Sequence, residues 1–218
     1  MGQRGCAKST LARSFREILP SVSENQEAPF VEVPLGTTED SLLGSIDASR
    51  LLADGEWLAQ TGLIQNANNG VLYIDEINLL PDHLVDSILD SAASGQHRIE
   101  RDGLSKNVSA RYILIGSMNP EEGDLRPQLT DRFMHGILVM DDFSVEERRE
   151  IVRLRMDFDD DPLAFVEEHQ EKLLRLREQI LQARKHFKNV NISENLRTEV
   201  AEKAFSLNLE GVLSLIHI

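Results

Sequence analysis

The sequence predicts an α/β fold in three layers, a parallel sheet between helices, and three stretches predict it. Val71-Leu-Tyr-Ile74 is a run of four apolar residues, too short and too β-branched for a buried helix, and reads as a strand covered on both faces. Tyr112-Ile-Leu-Ile-Gly-Ser117 reads as another buried strand. The third stretch is a glycine-bearing loop, Gly2 to Ala7, that opens into Lys8-Ser9-Thr10 with Leu11, Ala12, Phe15, Ile18 and Leu19 at helical spacing.

Both strands end in polar residues, where open α/β sheets bind ligands. Val71–Ile74 delivers the adjacent carboxylates Asp75 and Glu76, a pair in which one can hold Mg2+ while the other polarises a water. Alone, the pair is equally a strand stopping at a charged loop, so the loop at the amino end has to decide. Gly2-x-x-x-x-Ala7-Lys8-Ser9 fits a phosphate-binding loop: backbone N–H groups cradle phosphates, the lysine reaches the β and γ phosphates, and the hydroxyl reaches Mg2+. Ala7 stands where that pattern has its second glycine. A methyl is tolerated there if φ is negative and costs roughly 1 kcal/mol if it is not. Cys6 occupies a variable loop position and reads as a small filler. Tyr112–Ser117 leads to Asn119, which can orient a water against a γ-phosphate.

At 218 residues the chain fits one large domain or one domain with a smaller companion, with expected boundaries of 1–142 for a nucleotide-binding core and 143–212 for a helical subdomain. Residues 213–218 read as a tail. With 23 basic and 37 acidic residues the net charge is −14, which opposes nucleic acid and anionic membrane surfaces as partners. A single cysteine excludes an internal disulfide, and no apolar run approaches the roughly 18 residues of a membrane span. A reducing compartment, the cytoplasm, is the simplest expectation.

The remaining elements follow in order. Phe30–Pro34 reads as a short strand, and the following region through Gln60 reads as a loop-rich insertion, with Leu63, Ile64 and Ala67 in a short helix. Pro81 opens a helix with Leu84, Val85, Ile88, Leu89 and Ala92 inward and Gly95 as its stop. Gln96 to Leu104 alternates around Asp102-Gly103 and predicts a projecting hairpin with His97, Arg98 and Arg101 as exposed cations. A last strand is expected at Ile137–Met140. Ser144-x-x-Glu147 is a capping box, a break is expected between Asp157 and Pro162, and Leu173, Leu176, Ile180 and Ala183 form one stripe.

The ordered set Ala7-Lys8-Ser9-Thr10, Gly36 to Asp47, Gly62-Leu63-Ile64, Gly70 to Leu80, Ile99 to Ser105, Gly116 to Gly123 and Leu125 to Phe133 resembles the AAA+ ATPase-subunit family of magnesium chelatase and its cobalt-chelatase-like relatives, over almost the whole chain. The resemblance implies an AAA+ P-loop fold with a helix-2-type insert, a presensor hairpin and a helical lid. It implies ATP and Mg2+ as cofactors: Gly2, Gly5, Cys6, Ala7, Lys8, Ser9 and Thr10 in the nucleotide loop, Ser9 and Asp75 on the metal, Glu76 activating water, Asn119 as the sensor. Arg132 resembles an arginine finger for the neighbouring subunit, with Arg126 as the lesser candidate. The implied partners are copies of the chain in a ring, commonly a hexamer, a second subunit with an integrin-like domain, and a large tetrapyrrole-binding subunit. The implied site of action is the cytoplasm or a plastid stroma.

Departures from the family pattern carry expectations too. The strand expected before Gly2 is missing, and the lid arginine expected after Gly211 is replaced by an unrelated tail, so poor ATP turnover is expected of this chain. A remodelling chaperone of the MoxR type, also working with an integrin-like-domain partner, is the alternative reading. A DNA motor, suggested by the hairpin, is opposed by the net charge.

Overall fold

The computed structural model describes residues 1–206 except 4, 23–25, 47–58, 102–103, 124–128, 130–131, 134, 140–141 and 188. In chain order the elements are α1 (Lys8–Ile18), β1 (Phe30–Val33), α2 (Glu39–Leu43), β2 (Gly44–Ile46), β3 (Ala59–Thr61), α3 (Leu63–Asn66), β4 (Val71–Ile74), α4 (Asp82–Ser94), β5 (Gln96–Arg101), β6 (Leu104–Ser109), β7 (Ile113–Gly116), α5 (Val145–Asp160), α6 (Pro162–Phe187) and α7 (Glu194–Ser206). Single 3-10 turns follow β4 (Ile77–Leu79) and β7 (Pro120–Glu122).

β4 is central, and all four of its residues are buried. It pairs in parallel with β1 on one side and β7 on the other, with Val71 opposite both Phe30 and Ile113. Side chains alternate across a strand, and this alternation builds the three layers. Leu72 and Ile74 pack with Leu42, Ile64, Leu84, Val85 and Ile88 from α2, α3 and α4, whereas Val71 and Tyr73 pack with Leu19, Ala12 and Phe15 beside or within α1. Leu11, expected on the inner stripe of α1, is 67% exposed. Tyr112 ties α4 to the start of β7: its hydroxyl donates to the Ile88 carbonyl at 2.7 Å and lies 2.5 Å from Ser91 Oγ. Burial pushes that phenol up to about 12.

Of the strand expected at 137–140, the described residues 137–139 show one parallel bridge, between Gly2 and Val139, and Met140 lies outside the described residues. Met1 and Gly2 lie alongside this segment, with Val139 N–H donating to Met1 O at 2.7 Å and Gly2 N–H to Met118 O at 3.3 Å. Met1 and the first residue of the phosphate loop, Gly2, thus sit between the end of β7 and the segment at Val139. Ile137 and Leu138 are 71% and 62% exposed.

Two antiparallel pairs project from the sheet, β2–β3 and β5–β6. The first turns part of the expected loop-rich insertion into paired strands. The second is the expected hairpin; its turn, Asp102-Gly103, lies outside the described residues. His97 departs from expectation: it is half-buried, and desolvation holds its pKa below the usual value. His97 pairs across the hairpin with Val108, which with Ile99 forms the hairpin's own small cluster, so the imidazole shares the half-buried face and is not fully exposed. α4 ends, as expected, at Gly95, whose φ of 67° is the left-handed cap that glycine adopts at least cost.

The carboxyl-terminal helices begin at the expected capping box, with Ser144 Oγ accepting from Glu147 N–H and Glu147 accepting from Ser144 N–H. Asp161 separates α5 from α6 because Pro162 disfavours a helical residue before it. Asp161 Oδ1 then accepts from Leu163 and Ala164 N–H, capping α6. The expected stripe is not a buried core: α5 and α6 contain no buried residue among those described, and Leu176 is 39% exposed.

Candidate functional site

The loop before α1 is shaped by two left-handed residues. Gly5 has φ 88° with nothing within 4 Å of where a Cβ would stand, so glycine is required there by backbone conformation and not by space. Ala7 has φ 57° and ψ 23° and is the N-cap of α1 without a side-chain cap. The departure from the phosphate-loop pattern therefore falls at a strained position. No acidic residue occupies the first turn of α1, and uncapped first-turn N–H groups are the donors that bind phosphate at a helix start.

Ala7→Gly is expected to stabilise the protein. The left-handed penalty of about 1–2 kcal/mol is removed, against about 0.4–1 kcal/mol for the added freedom of the unfolded chain. The net gain of about 0–1.6 kcal/mol raises Tm by up to about 3–6 °C, at about 2–4 °C per kcal/mol in a chain of this size, read by calorimetry. A lowered Tm would show that Ala7 is not strained.

A cavity of about 440 Å3 opens above the loop, lined by Gly5, Ala7, Lys8, Ser9 and Thr10 on one side, Asp75 and Glu76 on a second, and Ser117, Met118, Asn119 and Glu122 on a third. Three separate chain segments thus converge at the carboxyl end of the sheet. Gly2 and Cys6 stand behind this wall. The Gly2 carbonyl accepts from Lys8 Nζ, as does Gln3 O, and Cys6 Sγ donates to Gln3 O at 2.8 Å.

Ser9 Oγ lies 3.1 Å and 3.0 Å from the two oxygens of Asp75. Burial pushes the Asp75 carboxyl up, but hydrogen bonds from Ser117, Tyr73 and Ser9 and the charge of Arg13 outweigh it and hold the pKa below the usual carboxylate value. The group is an anion at neutral pH. Arg13 stands 3.9 Å from it and is itself gripped by Glu32 of β1 at 2.6 Å. A hydroxyl and an ionised carboxylate in contact are hard oxygen donors that fit Mg2+, which takes one or two carboxylates and completes its shell with phosphates and water. Among the described residues no group of three or more His, Cys, Asp or Glu forms a full protein cage.

Glu76 adopts φ 54° and ψ 54°, a left-handed conformation uncommon for a residue with a side chain. Asn119 is buried, and its Oδ1 accepts from Glu121 N–H at 3.2 Å. Asn119 is also one of the residues that line the cavity. Tyr73, Arg13 and Ser117 were not singled out as functional from the sequence. The parallel register that places Gly116 beside Ile74 is the signal that puts Ser117 next to Asp75.

Residues 1–133 match the model of the AAA domain, dynein-related subfamily. The magnesium-chelatase 38 kDa subunit of Rhodobacter capsulatus is 40% identical over 237 residues, covering 97% of this chain and 68% of that protein. This chain belongs to the magnesium-chelatase subunit family of AAA proteins. A chloroplastic magnesium-chelatase subunit of Arabidopsis thaliana is 40% identical over 97% of this chain and 59% of its own length. An uncharacterized protein of Mycobacterium tuberculosis is 42% identical, with 97% of this chain covering 34% of it. The chain therefore spans between about a third and about two thirds of the length of these relatives. Among solved structures, a model of the complex between the BchI and BchD subunits of magnesium chelatase, based on a cryo-EM reconstruction, aligns with TM-score 0.62 and 43% identity over 85% of this chain and 66% of that one.

In this AAA fold Arg132 stands apart from the chain's own cavity. It pairs with Asp90 of α4 at 2.6 Å, with the two side chains 47% and 71% exposed. Arg126, the other arginine considered, lies outside the described residues, as does the tail at 213–218. Among the described residues no helix is long and apolar enough to cross a membrane.

Proposed function

We propose that this chain is the ATP-hydrolysing motor module of a chelatase that inserts Mg2+ or Co2+ into a tetrapyrrole. The observation that carries the reading is the convergence of Lys8, Ser9, Asp75, Glu76 and Asn119 on one cavity in a chain 40% identical to a magnesium-chelatase subunit. Bound Mg2+ would neutralise charge developing on the transferred phosphoryl group. The loop N–H groups and Lys8 bind and orient the phosphates, and Ser9 and Asp75 hold the metal. Glu76 accepts a proton from the attacking water, which Asn119 helps to orient. Arg132 acts on the nucleotide of an adjacent copy in a ring, a hexamer by family resemblance. The core at 1–142 and helices at 143–212 act as motor and lid.

The partners on this reading are a second subunit with an integrin-like domain and a large tetrapyrrole-binding subunit, and the setting is a bacterial cytoplasm or a plastid stroma. The test mixes this chain with those two subunits, a porphyrin, Mg2+ or Co2+, and ATP. Metallation that requires both the chain and hydrolysable ATP is the expected result. ATP turnover without metallation would point instead to a motor acting on protein clients.

A further inference from the structure

The geometry points to Ser117 as the positioning residue of the acidic pair, fixing the Asp75 carboxylate for its cation and holding the turn that presents Glu76. The inference rests on the Mg-ATP reading of the cavity and deepens it. Ser117 is 6% exposed and engages residues 73–77 through every polar group it has. Its N–H donates to Ile74 O at 2.9 Å, and its carbonyl accepts from Ile77 N–H at 2.9 Å. Its hydroxyl accepts from Glu76 N–H at 3.2 Å and Tyr73 OH at 3.3 Å, and donates to Asp75 Oδ1.

A serine hydroxyl has one proton and two lone pairs. Glu76 N–H can only donate and an ionised carboxylate can only accept, so the hydroxyl's lone pair faces Glu76 and its proton is committed to Asp75. This fixes the carboxylate's rotation: Oδ1 is held toward Ser117, and Oδ2 stays 3.0 Å from Ser9 Oγ. The same side chain restrains Glu76, whose left-handed backbone persists only where its surroundings over-determine it. Ser117 secures the amides of residues 76 and 77 and the carbonyl of residue 74, the three main-chain groups that bracket that turn. One residue thus couples the orientation of the metal-holding carboxylate to the placement of the water-activating one.

Ser117→Ala deletes the hydroxyl and keeps both main-chain bonds, so the β4–β7 register survives. Groups that orient a metal ligand are worth about 10–100-fold in metal affinity. The test is equilibrium binding of a fluorescent ADP analogue to the 218-residue chain, in EDTA and across a Mg2+ titration. For Ser117→Ala, and for the near-isosteric Ser117→Cys with its weak thiol donor, metal-free affinity is expected to stay within about twofold while half-saturating Mg2+ rises about 10–100-fold. Ser117→Thr, which keeps the hydroxyl, restores it to near wild type. Unfolding of the alanine variant alone leaves the cysteine and threonine pair to decide. Wild-type Mg2+ dependence in the alanine or cysteine variant, or equal loss in metal-free affinity, overturns the assignment. Wild-type chain that binds the nucleotide without any response to Mg2+ overturns the parent reading first.

Discussion

Glu76→Gln is expected to leave Mg-ATP binding within about twofold of wild type and to lower ATP turnover by about 10²–10⁴-fold, the usual contribution of a general base. The separation follows from geometry. Glu76 shares its side of the cavity with Asp75, while the phosphate-binding loop, Lys8 and Ser9 form the opposite side, and the proposed binding roles fall on those residues and Asp75 and not on the Glu76 side chain. Glutamine keeps the size and polarity of the side chain but cannot accept the water's proton. Its main-chain N–H still donates to Ser117 Oγ, so Asp75 keeps its orientation. The left-handed φ of 54° is as strained for glutamine as for glutamate, so the fold bears no new cost. Fluorescent-nucleotide titration and steady-state phosphate release measure the two quantities. A variant that turns over within tenfold of wild type would remove Glu76 from the water-activating role.

The features legible in the sequence were local ones. An apolar run ending in carboxylates gives β4 and the acidic pair because strand, burial and charge are contiguous over six residues. The capping box at Ser144 and the stop at Gly95 are similarly short-range, and both stand as read. Other features depend on what comes alongside. Val139 reads as part of a strand, yet its pairing is a single parallel bridge to Gly2, far away in sequence. The stripe of Leu173 and Leu176 identifies a face of α6 but not what covers it. His97 was read as a charged surface group because alternation in a hairpin does not reveal which face meets apolar neighbours. Ser117 carried no signal as a lone serine at a strand end. Its role emerges only when the register of β4 against β7 brings it beside Asp75.

Arg132→Ala is expected to lower ATP turnover in the ring by about 10³–10⁵-fold, the worth of an arginine finger, while an isolated subunit keeps its Mg-ATP affinity. Arg132 is not among the residues lining its own cavity, so its removal leaves that cavity's binding groups in place. Its pairing with Asp90 joins two well-exposed side chains. Such pairs contribute only about 0–1 kcal/mol, so the guanidinium is cheaply exchanged onto a phosphate across a subunit boundary. Arg132→Lys should rescue poorly, because an ammonium cannot reproduce the planar, two-pronged contact. The decisive measurement mixes two inactive variants. An Arg132→Ala subunit carries an intact Glu76 but offers no finger; a Glu76→Gln subunit offers the finger but cannot hydrolyse. In a ring with head-to-tail interfaces, random equal mixing places the first beside the second at about a quarter of the junctions. Turnover should therefore return on mixing, toward that fraction of wild type. If Arg132 served the nucleotide of its own chain, every site would remain defective and the mixture would stay as inactive as its components.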